Sequence, residues 1–125
     1  MSPRFPPPAR VLVVDDNADA AESLLELLRL WEYEACMVHD GASALAEART
    51  FRPVVILLDI GLPDLDGYEV AVRLRQQGWG GGMLVALTGF GQDEDRKRAE
   101  DAGFDRHLTK PVEPHTLLAL LKGES

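Results

Sequence analysis

A continuous apolar run, residues 54–58, ends on Asp59 and then breaks at Gly61, Pro63 and Gly67. This stretch constrains the fold of the chain more than any other. Five apolar residues bounded by turn formers read as a short strand buried on both faces, the kind that parallel sheets contain. A carboxylate at the carboxyl end of such a strand stands where open α/β sheets receive their ligands. Asp59 is therefore the first candidate for chemistry, and other residues matter by whether they can reach it.

The same alternation runs through the chain. Residues 11–14 form an apolar run ending on Asp15, Asp16 and Asn17, and the sequence predicts further strands over 33–38, 83–87 and 104–108. The fourth ends on Thr88 and Gly89; the fifth runs into Thr109, Lys110 and Pro111. Between them lie helical patterns. Ala21, Leu24, Leu25 and Leu28 have the spacing of a packed helix face, with Asp16 or Asn17 as its cap. Asp40 opens a second helix, whose buried stripe is expected at Ala42, Leu45, Ala46 and Phe51. A third is expected over 66–77 with Val70 and Leu74 inward. A charged fourth over 92–102 is closed by Gly103. The last follows Pro114, with Leu117, Leu118 and Leu121 inward. Five strands each followed by a helix predict an α/β fold built on a doubly wound parallel sheet, with helices on both faces. The glycine cluster over 78–82 follows a helix and precedes a strand, the reverse of a phosphate-cradling loop, and reads as a connector.

Totals narrow the function. A chain of 125 residues is one domain, able to bury roughly two-thirds of its unfolded surface. A net charge of −8 argues against a general grip on nucleic acid or on anionic membranes. Cys36 stands alone, so there is neither an internal disulfide nor zinc-type cysteine spacing. No apolar stretch approaches the ~20 residues of a membrane span, and the start carries no apolar signal core. The cytoplasm is the expected compartment. Half of the eight prolines fall within the first eight residues. Residues 1–9 therefore read as a flexible Pro-rich tail and residues 10–125 as the folded domain.

In a parallel sheet the carboxyl ends of the strands share one rim. Asp15 and Asp16, Asp59, Thr88 and Lys110 should therefore converge. Each alone has a plain reading: a helix cap for the paired acids, a strand threonine, a solvated lysine. Together they are hard to explain without a ligand, because three packed carboxylates repel unless a divalent cation joins them. Oxygen donors without histidine or cysteine favour Mg²⁺, or Mn²⁺, over zinc. Beside a lysine and a threonine such a site suits phosphoryl transfer, and a carboxylate can itself be the nucleophile.

Four motifs carry a family resemblance over about residues 10–122: Val-Leu-Val-Val-Asp15-Asp16-Asn17, Leu-Leu-Asp59-Ile-Gly-Leu-Pro63-Asp-Leu-Asp-Gly67, Ala-Leu-Thr88-Gly89 and Leu-Thr-Lys110-Pro111. The sequence resembles the receiver domain of response regulators in two-component phosphorelays, of the chemotaxis-regulator type. The resemblance implies a flavodoxin-like (βα)5 fold with strand order 2-1-3-4-5. It implies that Asp59 accepts a phosphoryl group from a phosphohistidine on a histidine kinase or histidine phosphotransfer protein. Asp16, Asp59 and the Gly61 carbonyl would hold Mg²⁺, with Asp15 acting mainly through water. Lys110 would pair with Asp59, the backbone of Ile60 and Gly89 would touch the phosphoryl group, and the Lys110–Pro111 bond would be cis. Thr88 would then switch the face of the last two helices and the fifth strand, where a downstream protein binds. Nucleic acid and membrane are not among the implied partners, and the domain would catalyse only its own phosphorylation and dephosphorylation.

One residue departs from that pattern. The position three before Lys110 is usually an aromatic switch residue in the family, and here it is His107, which can equally be a plain surface residue. Phe90 is a candidate cover for the acceptor, since Gly61 leaves it open. The first helix and the loop after Asp59, with Ala18, Leu62 and Pro63, are the expected docking surface for the donor. Alternative readings are a receiver acting by contact without phosphate, an aspartyl-nucleophile phosphatase and a flavodoxin-type cofactor binder. A phosphatase would want a second acid where Gly61 stands. A cofactor binder would not place Asp15 and Asp16 against a phosphate.

Overall fold

Uninterrupted apolar runs make the centre of the sheet. The computed structural model describes residues 5–80, 82–89 and 96–123. Strands β1 (Arg10–Val14), β2 (Glu34–Val38), β3 (Val55–Asp59), β4 (Met83–Thr88) and β5 (Arg106–Thr109) alternate with helices α1 (Ala18–Leu30), α2 (Gly41–Phe51), α3 (Gly67–Gln76), α4 (Arg96–Ala102) and α5 (Pro114–Leu121). The strands are all parallel in the order β2-β1-β3-β4-β5, the flavodoxin-like arrangement. Every residue of β3 and β4 is buried, as both faces of a parallel sheet must be, whereas β2 and β5 at the edges are mixed. The side chains divide the core in two. Val11, Val13, Leu57 and Val85 face α1 and α5, while Leu12, Val14, Ile56 and Leu84 face α2, α3 and the residues around Phe104. The strand order reverses between β1 and β3, so a crevice opens at the carboxyl ends of those two strands.

The helix caps follow the sequence. Asn17 accepts from Ala20 N at the start of α1, and Asp40 accepts from Ser43 N at the start of α2. The buried residues of α1 are Ala21, Leu24, Leu25 and Leu28, the set its spacing predicts. Gly103, at φ 101°, closes α4. The expected residues 92–95 of that helix lie outside the described residues.

Three expectations are corrected. In α2 the buried residues are Gly41, Ala44 and Ala48, while Ala42 and Ala46 are exposed. Alanines occur all round this helix, so side-chain size does not mark its inner face. Close approach does: a Cβ on Gly41 would come within 2.8 Å of Val70 Cγ2, which turns that side inward. The fifth strand starts later than predicted, at Arg106, because Asp105 accepts from Leu84 N through its side chain and donates its own N–H to Leu84 O. Phe104 precedes the strand and packs edge-on against Tyr68.

The third correction concerns the start of the chain. Residues 5–9, expected within a free tail, are fastened to the body. Phe5 N donates to Leu121 O, Tyr33 Oη donates to Phe5 O at 2.6 Å, and Glu34 N donates to Ala9 O. The Phe5 ring supplies the reason, since it packs against the apolar cluster under α1 and α5.

Candidate functional site

The crevice between β1 and β3 holds the acids. Asp15 is fully buried at the end of β1, Asp59 is 5% exposed at the end of β3, and Asp16 is exposed above them. Lys110, carried past the end of β5, reaches across the rim. Its Nζ lies 2.8 Å from Asp59 Oδ2 and 2.9 Å from Asp15 Oδ2. The contact with Asp59 is a directed hydrogen bond. The contact with Asp15 is an ion pair to a fully buried oxygen. The other Asp15 oxygen accepts from Asn17 N at 3.0 Å.

These surroundings set the charge states. Burial pushes the Asp15 carboxyl above the usual carboxylate range, against the pull of the Asn17 N–H and the Lys110 ammonium. Burial pushes the same way at Asp59. There the Lys110 hydrogen bond and the Gly61 N–H, which donates to Asp59 Oδ1 at 2.8 Å, outweigh it and hold the carboxyl below its ordinary value. Burial also works against the Lys110 ammonium, but the two carboxylates win and keep it above the usual lysine value. At neutral pH Asp59 is thus ionised and faces a cation, the condition for a carboxylate nucleophile.

The donor set also fits a hard divalent ion. One carboxylate oxygen from each of Asp15, Asp16 and Asp59 lies within 4.8 Å of the others. All are oxygen donors, and Asp15 Oδ2, ion-paired with Lys110, is buried and makes no hydrogen bond.

Thr88 ends β4 and is buried, paired in register with Thr109. Its hydroxyl lies 3.5 Å from Leu108 O, turned toward β5. Gly89 follows it, half-buried. The Lys110–Pro111 bond is cis, and Lys110 N donates to Thr88 O at 2.7 Å, tying the loop after β5 to the end of β4. Ile60 N donates to Leu87 O, so the N–H directed at the acceptor carboxylate is that of Gly61. His107 is exposed on β5, in a groove with Glu113 and Thr116. Phe90 lies outside the described residues. Ala18 and Pro63 are exposed, whereas Leu62 is 9% exposed within the core and offers no free side chain.

Two residues of the rim escape sequence reasoning. His39 Nδ1 lies 2.9 Å from Asp15 O, although nothing near it in sequence offers a partner. Asp64 accepts from Gly41 N and Ala42 N across the loop. Only spatial proximity reveals either contact.

Known proteins share the sequence pattern and the fold of this chain. The response regulator receiver domain family matches residues 11–122. The DNA-binding response regulator MtrA of Mycobacterium tuberculosis is 35% identical over 113 residues, 90% of this chain and 49% of that protein. The chain thus spans about half the length of the curated relatives it matches. Chemotaxis protein CheY4 of Vibrio cholerae superposes with a TM-score of 0.86 at 30% identity, covering 94% of this chain and 98% of that one. The receiver domain of Ssk1 from Saccharomyces cerevisiae, solved with the histidine phosphotransfer protein Ypd1, gives a TM-score of 0.81 at 26% identity over 98% of this chain and 92% of that one.

Proposed function

The chain belongs to the response regulator receiver domain family, and on that premise we propose that Asp59 takes a phosphoryl group from a phosphohistidine and so switches a protein-binding face. The observation that carries this reading is the Lys110 ammonium held 2.8 Å from a buried, ionised Asp59 at the switch point of the sheet. The domain is a signalling module, and the only chemistry proposed is on itself.

In the step proposed, an Asp59 carboxylate oxygen attacks the phosphorus in line. The O–P bond forms as the P–N bond breaks, and the electron pair returns to the donor imidazole, which takes a proton from water. Asp16, Asp59 and the Gly61 carbonyl would hold Mg²⁺, with Asp15 acting through water, and the ion when bound supplies positive charge to the phosphoryl oxygens. Lys110 follows the negative charge from the carboxylate to a phosphoryl oxygen, so its interaction strengthens as charge develops. The Gly61 N–H, already on Asp59 Oδ1, and the N–H of Gly89 are the backbone donors we assign to the phosphoryl group.

Thr88 is the residue proposed to report the event. Among the described residues its hydroxyl has a long contact to Leu108 O to give up, and a phosphoryl oxygen is the stronger acceptor. Because Lys110 N is bonded to Thr88 O, a shift of Thr88 bears directly on β5 and α5. We assign the output surface to α4, β5 and α5, with His107 as its exposed marker.

A histidine kinase or phosphotransfer protein is the donor proposed. A cleft of about 430 Å³ beside Asp15 and Lys110 supports this, lined on its apolar side by Ala20, Leu24, Leu27, Pro111 and Val112. No helix among the described residues is long and apolar enough to cross a membrane, and we assign the domain to the cytoplasm.

Incubation with Mg²⁺ and acetyl phosphate, followed by intact mass measurement, tests the assignment. One alkali-labile phosphoryl adduct is expected, and it should vanish in Asp59→Asn or with a chelator. An adduct that persists in Asp59→Asn, or none with any donor, refutes it.

A further inference from the structure

We infer that Asp64 is a positioning residue for the acceptor site: by bridging to the start of α2 it latches the loop over 60–66, and with it Gly61, in the orientation that receives the metal. The inference rests on the phosphoacceptor reading above and concerns a residue that touches neither metal nor phosphate.

The loop after Asp59 is fixed at both ends. Ile60 N donates to Leu87 O, and Gly67 N donates to Ile60 O. Between those points two side chains anchor the loop to the rest of the domain: Asp66, whose Oδ2 takes Arg98 Nη2 of α4 at 2.7 Å, and Asp64, whose two oxygens take Gly41 N at 2.8 Å and Ala42 N at 3.1 Å. A helix start leaves four N–H groups without intrahelical partners. The local cap of α2, Asp40, satisfies Ser43 N with its side chain, and its carbonyl takes Ala44 N. The Ala44 bond is the first of the helix itself; of the orphan donors, those of Gly41 and Ala42 go to a residue more than twenty positions away. An ordinary cap does not need this second carboxylate; a loop that must be held in place does.

Packing agrees. Leu65 lies so close to Gly41 that a Cβ there would come within 3.0 Å of Leu65 Cβ. The junction between β2 and α2 also reaches the other side of the crevice, where His39 Nδ1 meets Asp15 O at 2.9 Å. The start of α2 therefore braces both loops that carry the acids. The Gly41 N–H, with that of Ala42, holds the Asp64 carboxyl below its usual range against desolvation. The latch is closed at neutral pH.

The test compares the full chain with Asp64→Ala, Asp64→Asn and, as a control, Asp40→Ala. Calorimetric titration with Mg²⁺, amide hydrogen exchange over 60–66 and phosphoryl uptake from acetyl phosphate are measured, alongside thermal melting. Removing residues that orient metal ligands weakens metal binding by roughly ten- to a hundredfold, and Asp64→Ala is expected at the low end, about tenfold. Exchange over the loop should quicken with it. Asp64→Asn keeps one acceptor oxygen for Gly41 N and should fall between. Asp40→Ala should melt lower, from the lost cap, with Mg²⁺ affinity intact. If Asp64→Ala melts lower but binds Mg²⁺ like the parent and leaves loop exchange unchanged, Asp64 is only a second cap and the inference fails. Absence of phosphoryl uptake in the parent chain would instead overturn the acceptor reading, and exchange over 60–66 would then decide the latch alone.

Discussion

Gly67 stands where the acceptor loop turns back on itself, and it has no room for a side chain. A Cβ there would lie 2.4 Å from Ile60 Cα and 2.9 Å from Asp59 O, both backbone atoms that cannot swing aside. The Gly67 N–H also closes the loop by donating to Ile60 O. Gly67→Ala must therefore displace the acceptor strand or the start of α3, at a cost of roughly 1–3 kcal/mol for forced overpacking. Urea denaturation should show the loss, and acetyl phosphate uptake should slow with it because Asp59 itself is pushed. Cys36 makes the opposite case, a reactive group kept quiet by its place. Burial, and then the Glu47 carboxylate, push its thiol up to about 11. At pH 8 its thiolate fraction falls on the order of a hundredfold below that of a free cysteine, and iodoacetamide labelling should slow accordingly. Labelling should accelerate as the pH approaches 11 in the native chain and at once in urea. Fast labelling of native protein at pH 8 would show that the thiol is not shielded.

The helices are set by their ends as much as by their faces. Asn17 holds Ala20 N at 3.1 Å, and Asn17→Ala should cost about 1 kcal/mol, read from the denaturation midpoint. At α5 the cap is Glu113, which accepts from Thr116 N and from its hydroxyl. Desolvation pushes its carboxyl up, but the Thr116 and His115 N–H groups together outweigh it and hold it below its ordinary value. A depressed carboxylate stabilises the fold above its unfolded value, and that stability is lost as the pH falls through the folded value. The melting temperature of Glu113→Gln should therefore sit below that of the parent at pH 7, and the two should converge in acid. A gap that stays constant with pH would mean the charge contributes nothing. These ends also show what a sequence can disclose. The inner face of α1 is legible because leucine contrasts with glutamate at helical spacing. The inner face of α2 is not, because alanine is small on every side and Gly41 is chosen by the approach of Val70. The convergence of Asp15, Asp59 and Lys110 is legible because parallel strands share a rim. Asp64 and His39 are not, because their partners are main-chain groups of other elements, the start of α2 for Asp64 and the end of β1 for His39.

At the scale of the molecule the sheet separates two tasks. The carboxyl ends of its strands gather the charged site, while the opposite edge, where residues 5–9 are fastened, is held by apolar packing and main-chain hydrogen bonds. Phe5 joins three elements there: its N–H reaches the end of α5, its carbonyl takes the Tyr33 hydroxyl before β2, and its ring lies on the cluster beneath α1 and α5. Burying a phenylalanine side chain fully contributes about 1.5–3 kcal/mol, and the ring of Phe5 is only half-buried, so Phe5→Ala should cost about 1 kcal/mol. The main-chain bonds survive the substitution, which isolates the ring. Because the crevice is built from the other ends of the strands, Mg²⁺ affinity and the rate of phosphoryl uptake should not change. A lower urea midpoint with unchanged uptake is the expected pair of results. If Phe5→Ala instead altered uptake at full stability, the two edges would be coupled through α5, and residues 5–9 would have to be counted with the switch rather than with the support.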